Sequence, residues 1–190
     1  GHGFPRCDAR SGRAPARRGE TRKCTSAVVS SSFETAASYP LPVVSRARTI
    51  LAIGTFDGVH LGHRAIVAEA CRLADRAGER EGARPRVVTL AFDPHPAAVL
   101  RPAAEPARLT TFDRRSELLR AAGADAVVRL EPTPDLLGLS PERFVDRLAA
   151  EHAPLAIVEG PDFRFGKGRA GDVAALRRLG RERSEAEQFA

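Results

Sequence analysis

At 190 residues and 43% apolar content, the chain is sized for one domain with a real core. Its net charge of +6 is lopsided: residues 1–48 carry nine Lys/Arg against three Asp/Glu, whereas residues 49–190 carry 21 of each. A neutral remainder with few aromatic rings excludes a nucleic-acid-binding face, and no apolar run is long enough to span a membrane.

Residues 1–47 mix Arg, Gly, Pro and Ser without periodicity. They predict a disordered basic leader, too poor in apolar surface to offset its ordering entropy. The Arg- and Ser-rich, acid-poor make-up also fits an organellar transit peptide. The expected location is therefore the cytoplasm, or an organelle once the leader is removed. Cys7, Cys24 and Cys71 are odd in number and widely spaced, which indicates neither a zinc knuckle nor a disulfide framework and points to a reducing compartment. Cys71, among helical apolar positions, reads as a small packing residue.

Thr49–Ile53 is short, apolar and β-branched, a buried strand. Behind it comes Gly54-Thr-Phe-Asp-Gly-Val-His60-Leu-Gly62-His63, with two imidazoles three residues apart. Ile66, Val67, Ala70, Leu73, Ala74 and Ala77 then recur at helical spacing, so His63 stands at the mouth of an amphipathic helix. Strand, tight turn and helix start make a nucleotide-handling turn. Gly54 and Gly62 permit close approach, the free N–H groups of the helix start favour phosphate, and the imidazoles add donors. Two other readings compete: a helix-capping histidine pair, and a metal site in which His95 joins Asp57, His60 and His63.

Arg86–Phe92 is the second strand, followed by a Pro-rich loop to about Leu109. Thr111 caps a helix that runs to Ala122 and ends at Gly123. Asp125–Leu130 is the third strand; Ser140-Pro141 opens a helix with Phe144, Val145, Leu148 and Ala149 on its apolar face. Leu155–Val158 is the fourth strand, and Asp172 caps a last helix to about Gly180. This alternation predicts an α/β fold, a doubly wound parallel sheet whose ligands bind at the carboxyl ends of its strands. Gly160–Lys167 superficially looks like a P-loop, but five residues separate its glycines and Gly168 stands where Ser or Thr is required.

The turn resembles the HxGH signature of the Rossmann-like nucleotidyltransferase superfamily. Two further segments, Phe92-Asp-Pro-His-Pro96 and Gly160-Pro-Asp-Phe-Arg-Phe-Gly-Lys-Gly-Arg-Ala-Gly171, follow in the order and spacing of one branch of it. Together the three resemble the FMN adenylyltransferase (FAD synthetase) domain, the N-terminal part of the bacterial bifunctional riboflavin kinase/FAD synthetases. The resemblance covers about residues 48–182, leaving 183–190 as a tail. It implies formation of FAD and pyrophosphate from FMN and Mg·ATP. The alternatives are another HxGH enzyme, such as a cytidylyltransferase, or an impaired flavin- or nucleotide-binding fragment. Relatives continue into another strand and a Ser-Ser/Thr segment ending in Arg. Arg181–Ala190 stands there instead, so the expectation is a truncated domain whose last strand is missing and whose sheet edge is bare.

For ATP the resemblance implies Gly54, Thr55, Phe56, Asp57, His60, Gly62 and His63, with His60, His63 and Asp162 catalytic and Asp162 the ligand of Mg²⁺. Phe92, Pro94, His95 and Pro96 form a stiff apolar wall suited to a planar isoalloxazine. Phe163 and Phe165 share one face of a strand, which suits core packing as well as it suits a ligand; with Arg169 they complete the expected flavin contacts.

Overall fold

The alternation of strands and helices expected from residue 49 onward is present. A computed structural model describes residues 27–30 and 48–188. In chain order the elements are β1 (Ala27–Ser30), β2 (Thr49–Gly54), α1 (Leu61–Glu81), β3 (Arg86–Phe92), α2 (Pro96–Leu100), α3 (Phe112–Ala121) and β4 (Ala126–Leu130). There follow α4 (Pro134–Leu137), α5 (Pro141–His152), β5 (Pro154–Glu159), the two-residue strands β6 (Arg164–Phe165) and β7 (Gly171–Asp172), and α6 (Val173–Gln188). The main sheet has the order β1-β5-β2-β3-β4, and β5, β2, β3 and β4 run parallel.

Strand alternation divides the core between two faces. Ile50, Ala52, Val87 and Ala91 meet Val67, Ala70, Cys71 and Ala74 of α1 and Leu119 of α3. Leu51, Ile53, Val88 and Leu90 meet Leu136, Phe144, Val145, Leu148, Leu176 and Leu179 of α4, α5 and α6. Near-continuous apolar strands covered on both faces are what a parallel sheet requires. Cys71 is buried in the first layer, and its thiol donates to the Gly123 carbonyl at 3.3 Å. No helix among the described residues is long and apolar enough to cross a membrane.

Capping follows sequence chemistry. Thr111 accepts from the Arg114 N–H, Ser140 from Arg143 and Asp172 from Ala175. The last helix outruns its expected end near Gly180. Arg181–Gln188 consists of good helix formers, and Arg178 pairs with Glu182 at 2.9 Å, so one glycine does not stop it.

The leader differs from expectation over Ala27–Ser30, which pairs antiparallel with β5 from Ala27↔Glu159 to Ser30↔Ala156. The rest of the expected leader lies outside the described residues. The outer edge of β5 is thereby covered, where a bare sheet edge was expected. Its outward N–H and C=O groups need partners, and an Ala-Val-Val-Ser run supplies them.

The β6–β7 hairpin is locked to the start of α5. Gly166 has φ +73, and a Cβ there would stand 2.8 Å from the Pro141 nitrogen, whereas Gly168, φ +64, faces open space. Gly166→Ala is therefore expected to lose about 3 kcal/mol of stability and Gly168→Ala about 1 kcal/mol, read from urea unfolding midpoints. Equal losses at both positions would contradict the packing argument.

Candidate active site

The carboxyl end of β2 opens into a turn built on left-handed backbone. Phe56 has φ 51, Gly58 φ 68 and Val59 φ 39, unusual for a bulky and a β-branched residue, and both side chains are fully buried. Strain of this kind persists where surrounding contacts over-determine it. Here the contacts are core packing beneath and Asp57 above. Asp57 accepts from the N–H groups of Leu109 (2.8 Å) and Thr110 (2.9 Å) and from the Thr110 hydroxyl (2.6 Å), while Gly58 N–H donates to Thr110 Oγ1 at 3.2 Å. Burial pushes the Asp57 carboxyl up, but these donors outweigh it and hold it below the usual carboxylate value. Asp57 thus ties the turn to the loop before α3.

His60 is the N-cap of α1. Its Nδ1 accepts from the backbone N–H of Gly62 (3.1 Å) and His63 (3.4 Å). A neutral His60 therefore carries its proton on Nε2. A Cβ at Gly62 would stand 3.1 Å from the His60 ring, so glycine lets that ring lie close to the helix start. The His63 ring stacks on His60 with centroids 3.6 Å apart, and Phe56 meets it edge-on at 5.2 Å. His63 Nδ1 is buried without a partner, so Nε2 is the nitrogen a ligand can reach.

His60 caps the helix, as the capping reading has it, and one part of the donor reading is corrected. The N–H groups of Gly62 and His63 are not free; both donate to His60 Nδ1. Phe56 likewise serves as the buried floor of His63.

Burial, and then the neighbouring His60, lower the His63 imidazole from 6.5 to about 4. His63 is thus neutral at physiological pH. Because the folded state resists protonation, its contribution to stability is full above about pH 6.5 and is lost as pH falls toward 4. An NMR titration of the imidazole signals is expected to place the His63 midpoint near 4. A midpoint at 6.5 would show an exposed ring.

The second motif is joined to the first by Arg115, a buried side chain on α3. Its Nη1 donates to the carbonyls of Thr55 (2.6 Å) and Phe92 (3.0 Å), and its Nη2 to Asp93 Oδ1 at 2.7 Å. The ends of β2 and β3 are thereby pinned together. Asp93, 8% exposed, also accepts from Arg108 at 3.3 Å and pairs with Arg129. Asp93, Arg108, Thr110, Phe112 and Arg129 line part of an open cleft of about 450 Å³. The Arg129 guanidinium lies 4.0 Å from the centre of the Phe112 ring. His95 repeats the His60 device: it caps α2, with Nδ1 accepting from Ala97 N–H at 3.0 Å.

Sequence reading missed Asp93, Arg115, Arg129 and the Asp57 tether. One signal was present: Phe112, Arg115 and Leu119 recur at i, i+3 and i+7, which puts a charge on an apolar helix face.

The third motif is placed unevenly. Phe165 is 5% exposed and packs on Phe144 at 5.6 Å, so the core claims the ring expected at the flavin. Phe163 stacks on it at 5.5 Å and is half-buried. Asp162 and Arg169 are exposed beyond the carboxyl end of β5, and among the described residues no hydrogen bond joins their side chains to the other motifs. Among the described residues no group of three or more His, Cys, Asp or Glu is placed to hold a metal ion, whereas Asp57 and His60 Nδ1 are engaged in hydrogen bonds.

A family model described as FAD synthetase matches residues 44–188. The chain belongs to the FAD synthetase family. Among relatives, the bifunctional riboflavin kinase/FMN adenylyltransferases of Escherichia coli (strain K12) and Pseudomonas fluorescens are 34% and 38% identical over 137 and 132 residues. These matches cover 70% and 69% of this chain but only 41% and 40% of the relatives, so it spans about two-fifths of their length. A solved structure titled as a macrolide-efflux protein from Streptococcus pneumoniae matches at TM-score 0.56 and 21% identity. It covers 70% of this chain and 49% of that one, a likeness that shows the α/β fold alone.

Proposed function

We propose that this FAD synthetase domain is an FMN adenylyltransferase. A phosphate oxygen of FMN attacks the α-phosphorus of ATP, the bond from that phosphorus to the bridging oxygen of the β-phosphate breaks, and FAD and pyrophosphate leave. A phosphate monoester anion is already a nucleophile, so the protein's task is to position the substrates and stabilise charge. The observation that carries the reading is the stacked pair His60–His63, whose available nitrogens are both Nε2. Two donors held side by side on a capped helix need little reorganisation when charge develops on phosphoryl oxygens.

We assign ATP to the rim formed by Gly54, Thr55, His60, Gly62 and His63. FMN is assigned to Phe92, Pro94, His95 and Pro96 with the adjoining cleft, where Arg108 and Arg129 carry positive charge. Phe163 and Arg169 follow β5, on the other side of β2 from that cleft, and are assigned to FMN on the third motif alone. Asp162, a single exposed carboxylate beyond β5, suits Mg²⁺ delivered with the triphosphate, because that ion keeps several waters and takes only one or two protein carboxylates. When bound, Mg²⁺ supplies neutralisation of the triphosphate charge.

The test is product analysis with FMN and each of ATP, GTP and CTP. FAD from ATP alone is the expected outcome. A CDP-linked product would make the chain a cytidylyltransferase, and binding without product would make it a nucleotide- or flavin-binding protein.

A further inference from the structure

At the carboxyl end of the sheet, β2 and β5 part company. Their pairing runs from Thr49↔Pro154 to Leu51↔Ile157 and goes no further, whereas β2 stays paired with β3 as far as Gly54↔Ala91. Ile53 thus loses a main-chain acceptor on the β5 side, three residues before Phe56 and the left-handed turn. Its N–H is not orphaned: Glu159 Oε1, from the last residue of β5, accepts it at 2.6 Å. Glu159 is 3% exposed, and its backbone pairs on the other side with Ala27 of β1. A carboxyl that deep is unusual unless a specific bond retains it.

We infer that Glu159 is a positioning residue for the histidine turn: its carboxyl oxygen takes the place of the acceptor that β5 withdraws from Ile53, and so fixes the strand end from which the turn departs. The inference rests on the adenylyltransferase reading for its effect on turnover. Two anchors then hold the exit of β2. Arg115 holds the Thr55 carbonyl from the β3 side, and Glu159 holds the Ile53 N–H from the β5 side. Without the second, a buried N–H must find another partner, and the strand end shifts to reach one. Displacing preorganised donors by about 1 Å lowers rate by up to about 100-fold, so a residue that touches no substrate still governs turnover.

Burial raises the Glu159 carboxyl well above its ordinary value, more than the Ile53 N–H lowers it. Burial thus favours the neutral form, of which glutamine is the isostere. Glu159→Gln keeps an acceptor at the same reach. Glu159→Asp keeps the acid but falls one methylene short, and Glu159→Leu keeps the size without the acceptor.

The experiment measures steady-state FAD formation by the full chain and these three variants, together with amide hydrogen exchange at Ile53 and the His63 imidazole titration. Glu159→Gln is expected to stay within about threefold of the parent in turnover, with Ile53 protected and the His63 midpoint unmoved. Glu159→Asp and Glu159→Leu are expected to lose about 10- to 100-fold in kcat with less than about threefold change in the KM for ATP, and to expose Ile53 to exchange. Should Glu159→Leu not fold, the contrast of Gln with Asp decides. Full turnover and Ile53 protection in Glu159→Asp, or lost protection in a folded Glu159→Gln, would overturn the inference. If the parent chain makes no FAD, the adenylyltransferase reading fails, while Ile53 exchange and the His63 midpoint still decide whether Glu159 positions the turn.

Discussion

Replacing Arg115 with leucine is expected to lower stability by about 3–5 kcal/mol, because it removes the buried partner of Asp93 and the donor shared by the Thr55 and Phe92 carbonyls. The side chains of Arg115 and Asp93 are 4% and 9% exposed. Arg129 and Arg108 reach Asp93 from the solvent side, and neither replaces the bonds to the Thr55 and Phe92 carbonyls. Those acceptors would be left in a partly buried place, adding to the loss. A domain has about 5–15 kcal/mol in total, so the variant should unfold at far lower urea. Arg115→Lys keeps the charge but not the fork that meets three acceptors, and should lie between. A loss below about 1 kcal/mol for Arg115→Leu would mean that the ends of β2 and β3 are held together by something else.

The second large effect separates the two roles of His60. As the cap of α1, its Nδ1 accepts two backbone N–H groups; in the proposed reaction, its Nε2 is the donor to a phosphoryl oxygen. His60→Ala removes both and is expected to lose about 1 kcal/mol of stability and about 100-fold in kcat. Asparagine is a good N-cap residue without an Nε2. His60→Asn should regain most of the stability and little of the turnover. If it regained both, His60 would be a capping residue only.

How much was legible in the sequence depended on the separation of the interacting partners. The strand Arg86–Phe92 and the caps Thr111, Ser140 and Asp172 rest on neighbouring residues, and the structure has them where local chemistry put them. Helix α1 runs to Glu81, beyond the last apolar repeat at Ala77, because its final turn is charged and ends only at Gly82 in the left-handed region. Strand β1 could not be read at all: four residues in an Arg- and Ser-rich stretch become a strand only against β5, far along the chain.

The site divides the same way. The His60–His63 pair is three residues wide and announced itself. The ties that hold it join Asp57 to Leu109 and Thr110, Arg115 to Thr55, and Glu159 to Ile53, across separations of 52, 53, 60 and 106 residues. No local pattern encodes such a partner. Phe165 shows the converse: the motif left ligand contact and packing both open, and Phe144, 21 residues away, makes it core.

The most direct measurement of the central claim is pyrophosphate release by the purified chain with Mg·ATP, with and without FMN, alongside FAD resolved by chromatography. One pyrophosphate per FAD, and none without FMN, is the expected result. Pyrophosphate released equally in the absence of FMN, or ATP bound with no FAD formed, would contradict adenylyl transfer to the flavin phosphate at the histidine turn.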